Sequence, residues 1–360
     1  MLFKGTKTRD KSEIAYFLES LGGSLNAFTS KDYTCLYARA LCENLPQSID
    51  ILADIIQNST FPQEEIEKEK QVVIDEINEV RETPGELIFE KFYENLFPNH
   101  PLGYSILGYK EYVENFTKQA CEGFIAKNYT APRTIITASG YLEHEELVKY
   151  VQQYFKLEKD EPHPRIFVPL SDITPKRKEY TLPINHQTHL CTGIRTFPFN
   201  DERRLTLLML NAILSGGMSS RFFQNIREKH GIAYDIHSFT DFFYDTGCLG
   251  IYAATTPENH ARCFELIQQE LKDLIENPVP SSELAITKAQ FKSSLVMGLE
   301  STSARMNRLA TQYTYLNDID QIDKVIEKID KVVPEDIQRL AQKLFSSNQF
   351  TTTILKAGKK

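Results

Sequence analysis

Residues 63–80 read QEEIEKEKQVVIDEINEV, and this stretch decides how the chain is understood. Pro62 stands just ahead of it and strong helix formers follow, so the run predicts a helix from Gln63 to Val80. One face of that helix carries Ile66, Glu69, Val73, Glu76 and Val80, which sets two carboxylates two turns apart inside an apolar stripe. Burying a carboxylate there costs several kcal/mol unless a cation, a donor or a metal meets it. A second assignment leaves the acids at the wet rim and runs the stripe through Ile66, Val73, Ile77 and Val80. Periodicity alone leaves both open.

Working outward, Lys11 to Leu21 is predicted helical behind a cap at Asp10 or Ser12, and Gly22-Gly23 stops it. Leu25 to Thr29 and Tyr33 to Ala40 are predicted strands joined at Ser30-Lys31-Asp32, and Leu45 to Asn58 is predicted helical. Leu87 to Leu96 continues helically, Thr117 caps a helix to about Asn128, and the β-branched run Thr134 to Ser139 predicts a strand before a helix ending near Phe155. Four prolines between Lys156 and Pro183 mark a semi-rigid linker.

The second half repeats the plan of the first. Glu43-Asn44, a helix and Pro62 recur as Glu258-Asn259, a helix and Pro280. Laying Pro62 on Pro280 puts Thr287 opposite Glu69 and Ser294 opposite Glu76, so the fold does not require the acids. The fold class predicted is therefore α+β with two similar domains. Each is a mixed or antiparallel sheet with helices on one face, over 1–160 and 184–360 with the linker at 161–183.

A net charge of −8 and a pI near 5.6 exclude a surface built for nucleic acid, which needs a positive field. The six cysteines form no CxxC pair and suggest neither a disulfide scaffold nor a thiolate zinc site. The most apolar run, Leu205 to Leu214, is too short to span a bilayer, and no targeting signal opens the chain. A soluble protein, cytoplasmic by default, is expected. None of the eight histidines precedes His100, and His186 and His189, three apart in an extended run, point to opposite faces. Phe222 to Tyr234, FFQNIREKHGIAY, predicts a helix ending at Gly231 that presents Arg227 and Tyr234, a guanidinium and a phenol suited to an oxyanion or a peptide carbonyl.

Taken together, MLFKGT at the start, GGSLNAFTSKDYT (22–34), EKEKQVVIDEI (67–77), HPLGYSILG (100–108), SSRFFQNIREKHGIAY (219–234) and VPEDIQRLAQKLF (333–345) resemble the M16 pitrilysin or insulinase-like zinc metallopeptidases. The similarity is to the processing-peptidase branch and covers essentially the whole chain. The resemblance implies Zn2+ as cofactor, Glu76 as a zinc ligand, and Glu69 as its supporting partner two turns earlier. It implies that Asn26 and Ala27 lie on a strand that pairs with extended substrate. It also implies that Arg227 and Tyr234 reach the substrate backbone near the scissile bond, in a chamber that closes between the halves. Partners implied are a peptide substrate and a second copy or an M16 homologue in a dimer. The family's HxxEH motif is expected immediately ahead of MLFKGT, and it is not in the 360 residues. The chain as it stands is therefore expected not to hydrolyse peptides, the complete gene product is expected to begin upstream with any targeting signal, and a non-catalytic subunit pairing with an active homologue is the competing expectation.

Overall fold

The computed structural model describes residues 1–159, 167–171, 176–182, 187–346 and 349–358. Parts of the predicted linker, with Pro162, Pro164, Pro175 and Pro183, and also His186, lie outside the described residues, and Lys176–Leu182 within it forms a strand. The chain packs as two units, one built from Met1–Glu79, Ile106–Ile166 and Glu300–Thr314, the other from Val80–Ser105, Phe167–Leu299 and Tyr315–Lys360.

In the first unit, α1 (Lys11–Glu19) starts on a capping box in which Asp10 accepts from Ser12 and Glu13 while the Glu13 carboxylate takes the Asp10 N–H. The hairpin of β1 (Ser24–Thr29) and β2 (Thr34–Arg39) follows, antiparallel with Asn26 opposite Tyr37. The next helix, α2 (Leu45–Gln57), buries Ile51, Ile55 and Ile56 against Ile14 and Leu18 of α1, with Leu25, Leu36 and Ala38 of the hairpin packed on that cluster. Then α3 (Gln63–Glu82) buries Ile66, Ile74 and Ile77. The second and third of these meet Val113, at the end of the short α5 (Lys110–Val113), once the chain has passed α4 (Pro84–Leu96) in the other unit. Neither α6 (Lys118–Asn128), which Thr117 caps through the Ala120 N–H, nor α7 (His144–Tyr154) contains a fully buried residue. The predicted strand at Thr134 to Ser139 is not formed. Ile135 and Ile136 are exposed, and the Thr137 hydroxyl donates to the Met306 carbonyl instead of the backbone joining a ladder.

The second unit is organised on a sheet of order β3-β7-β4-β6-β5. Its strands are β3 (Lys176–Leu182), β4 (Thr188–Thr196), β5 (Ala233–Phe242), β6 (Gly247–Thr255) and β7 (Thr351–Ala357). The β3–β7 pair is parallel and the others are antiparallel. Alternation assigns the faces. Leu190, Ile194, Leu249, Ile251, Ala253 and Ile354 point to one side, under α8 (Arg204–Ser215), α9 (His260–Glu276), α10 (Ser281–Gly298), α12 (Ile322–Lys331) and α13 (Pro334–Phe345). The intervening residues Cys191, Cys248, Tyr252, Ala254 and Leu355 face α4, whose Ile88, Phe92 and Leu96 fill that side. Both faces are thus dry, which is why β4 and β6 are buried along most of their length. The helix α11 (Thr302–Leu316) runs from the first unit into the second. Among the described residues no helix is long and apolar enough to cross a membrane.

Candidate functional site

The helix predicted at 63–80 forms and continues to Glu82, but its carboxylates are not where the stripe through Glu69 and Glu76 would put them. The buried line is Ile66, Ile74 and Ile77, with Val73 half-buried beside it, so the acids flank it. Glu76 is exposed. Glu69 is part-buried and pairs with Lys4, whose Nζ lies 2.7 Å from its carboxylate. The alternative rim assignment is the nearer one, except that Ile74 replaces Val80 as the third apolar contact. Nothing in the sequence flagged Lys4, because the pair joins residues far apart in the chain through a 3-10 turn at Leu2–Lys4.

A zinc ion, implied by the resemblance, does not fit this donor set. Zinc in proteins takes four ligands or three and a water, usually imidazoles and thiolates with a carboxylate. The two glutamates supply only carboxylate oxygens, and one of them is already neutralised by an ammonium. Among the described residues no three His, Cys, Asp or Glu side chains come together to hold a metal.

The segment that leads into this region is held by a polar cluster. Asp54 of α2 is buried and accepts from the Thr6 and Thr8 hydroxyls (2.8 and 3.1 Å), from Arg9 Nη1 (2.6 Å) and from Asn58 Nδ2 (2.9 Å). Burial works against its charge, yet the hydrogen bonds from Asn58, Arg9, Thr6 and Thr8 outweigh it and hold the carboxyl below its ordinary range. Arg9 also reaches Asp50 at 2.5 Å.

Asn26 and Ala27 lie on β1, which pairs with β2 on one side and has no further ladder partner among the described residues. Asn26 is exposed and turns its amide oxygen onto the Ala27 N–H at 2.8 Å. The strand therefore has an open edge of the kind that an extended peptide joins.

The helix that carries Arg227 ends ahead of Gly231, as the sequence predicts, and leaves Tyr234 outside it; its winding is what the sequence does not indicate. Phe222 to Lys229 is wound as a π-helix, the turn breaks at Gly231 with φ near 60°, and Tyr234 sits on β5. The π-helix packs on β5, and both side chains are exposed, Tyr234 at 75%. Arg227 lies over the Phe223 ring, 5.0 Å from its centre, and among the described residues it makes no ion pair. At the matched position in the repeat, Thr287 is buried and satisfied by the Glu283 carbonyl, and Ser294 is exposed.

His189 is buried on β4 with Nδ1 2.9 Å from the Tyr252 hydroxyl. Burial lowers its basicity, Asp235 opposing.

Two family models match, "Insulinase (Peptidase family M16)" over residues 1–110 and "Peptidase M16 inactive domain" over 115–291. The chain is 34% identical over 368 residues to the uncharacterized zinc protease YmxG of Bacillus subtilis, covering 99% of this chain and 87% of that one. It is 35% identical over 352 residues to an uncharacterized zinc protease of Rickettsia felis, covering 96% and 84%. Among solved structures, a protease from Helicobacter pylori superposes with a TM-score of 0.93 at 21% identity, over 99% of this chain and 86% of that one. A peptidase M16 inactive domain from Pseudomonas fluorescens gives 0.92 at 18%, over 100% and 86%. These two show that the fold is shared.

Proposed function

We propose, on the premise that this chain belongs to the M16 insulinase-like peptidase family, that it works on extended polypeptides. Where the two imidazoles and the carboxylate base of the family's HxxEH stand beside Glu76, the activity is zinc-dependent endopeptidase. In the 360 residues alone it is recognition without hydrolysis. The observation that carries the reading is similarity to proteins named zinc proteases along 99% of the chain. The open edge of β1 supports it, because a backbone ladder binds many sequences while selecting against folded ones. Arg227 and Tyr234 supply donors of the type that peptide carbonyls accept, and both are exposed.

A second reading has support from one contact. The Lys4 ammonium is paired with Glu69, the carboxylate that the resemblance assigns to support of the metal, and this suits a non-catalytic subunit that pairs with an active homologue. Mixing the chain with a relative that carries HxxEH and measuring the assembled mass separates this reading from a self-sufficient one.

The test of the main reading uses a fluorescein-labelled, reduced and carboxymethylated globular protein as an unfolded probe and its native form as control. Anisotropy is expected to rise with the unfolded probe alone. Ala27→Pro, which removes a strand N–H, is expected to weaken the complex about tenfold, the worth of one or two hydrogen bonds at an edge. Equal binding of native and unfolded probes would overturn the reading.

A further inference from the structure

The π-helix is the unusual element of the second unit. Eight residues in wide turns are rare, since π geometry normally appears as a single turn inserted in an α-helix and often beside a working site. Such a segment persists only where its surroundings over-determine it.

Two polar anchors do so. Arg221, the residue at its N-terminal cap, is largely buried and grips Glu283 of α10 with both Nε (2.9 Å) and Nη2 (3.0 Å), while Nη1 reaches Asp273 of α9 at 2.7 Å. Within the π-helix, Asn225 donates to Glu270 of α9 at 2.5 Å, and the same carboxylate lies 3.9 Å from Arg221 Nη1. Burial raises the Glu270 carboxyl against the pull of Asn225 and Arg221. Between the anchors Phe222 is fully buried, as is Ile226 just past Asn225. One residue further on, Arg227 emerges over the Phe223 ring.

We infer that Arg221 is a positioning residue for Arg227: by clamping the π-helix to α9 and α10 it fixes the winding that brings the Arg227 guanidinium out beside β5 as a donor for peptide carbonyls. This rests on the reading of Arg227 given above. A planar guanidinium is needed for the clamp because it makes three directed bonds to two helices, whereas an ammonium is a single point charge. The same clamp explains why an Arg and three carboxylates share a part-buried site.

The experiment is a double-mutant cycle on the 360-residue chain, reading the affinity for the unfolded carboxymethylated probe. R227A is expected to weaken binding about tenfold, the worth of one charge-assisted hydrogen bond. R221M is expected to weaken it by a similar factor, R221K by less, and R221M in the R227A background by under about twofold, because the clamp acts through a side chain already gone. E283Q, a milder variant that keeps the packing, is expected to lie with R221K, and amide exchange over 222–229 is expected to quicken in R221M. A loss in R227A with none in R221M and E283Q overturns the clamp alone. Equal losses from R221M in both backgrounds also overturn it, as they signal general damage. No loss in R227A overturns the assignment of Arg227 to the peptide, and the clamp with it.

Discussion

Replacing Asp54 by Asn tests whether the first unit is held by its polar cluster as described. The substitution keeps the shape and removes the charge. Four donors converge on the carboxylate; Asn58 can turn its amide over and the Thr6 and Thr8 hydroxyls can rotate to accept, whereas the Arg9 guanidinium can only donate. The new amide N–H can be met by Asn58, but the Arg9 guanidinium loses the more buried of its two anionic partners. Breaking a buried charged pair from one side costs about 3–5 kcal/mol, and the partial exposure of Arg9 together with its remaining bond to Asp50 favours the lower end, about 3 kcal/mol. For a unit of roughly 150 residues this corresponds to a fall of about 6–12 °C in melting temperature. Calorimetry is the assay of choice, as the chain has no tryptophan to report by fluorescence. The pH dependence follows from the sign. Asp54 titrates lower in the folded chain than in the unfolded one, so its stabilisation is present in full above the unfolded value, about pH 4, and is lost as pH falls through the folded value. The gap between wild type and Asp54→Asn is expected to close on acidification below that point. A loss under about 1 kcal/mol at neutral pH, or a gap that does not change in acid, would refute the cluster as a source of stability, while Asp50→Asn, at a more exposed site, is expected to cost about 0–1 kcal/mol.

Three further outcomes are expected. Glu76→Gln is expected to change stability by less than about 0.5 kcal/mol and Glu69→Gln by about 0–1 kcal/mol, read from urea midpoints, because one acid is exposed and the other pairs at a part-exposed site. His189 is held neutral by burial, so below about pH 6.5 the unfolded chain takes up a proton that the folded one refuses, and stability falls as pH drops. Urea midpoints at pH 7.5 and 5.5 are expected to differ less in His189→Gln than in wild type. Gly103→Ala places a Cβ against the Phe97 carbonyl oxygen at the end of a 3-10 turn, which is expected to cost about 1–3 kcal/mol by thermal unfolding.

Most of the helices were legible in the sequence because their caps and apolar spacing are local. Asp10 and Thr117 cap as their positions predict, and α2 and α3 begin within a residue or so of the expected places. The repeat was legible for the same reason, since Asn259 with α9 and Pro280 with α10 follow the plan of Asn44, α2, Pro62 and α3. What escaped was set by partners distant in sequence. Thr134 to Ser139 has strand composition, but a strand exists only where a ladder partner meets it, and here Thr137 is spent on Met306. The stripe of α3 was ambiguous between one through Glu69 and Glu76 and one through Ile77 with the acids at its rim, and neither included Ile74, which packs with Val113 while Lys4 takes Glu69. Arg227 and Tyr234 were singled out by type and spacing, and the break between them at Gly231 was legible, whereas the π winding of 222–229 was not, since Arg221 ahead of it meets Asp273 and Glu283 far along the chain.

The most direct test of the account is a metal measurement on the 360-residue chain, dialysed against zinc and then against buffer, with peptide cleavage followed in parallel. With Glu69 engaged by Lys4 and Glu76 lacking imidazole partners, the chain is expected to retain well under one zinc per molecule and to show no chelator-sensitive cleavage, while still binding the unfolded probe. One zinc per chain, lost in Glu76→Gln, or cleavage abolished by chelator, would contradict it.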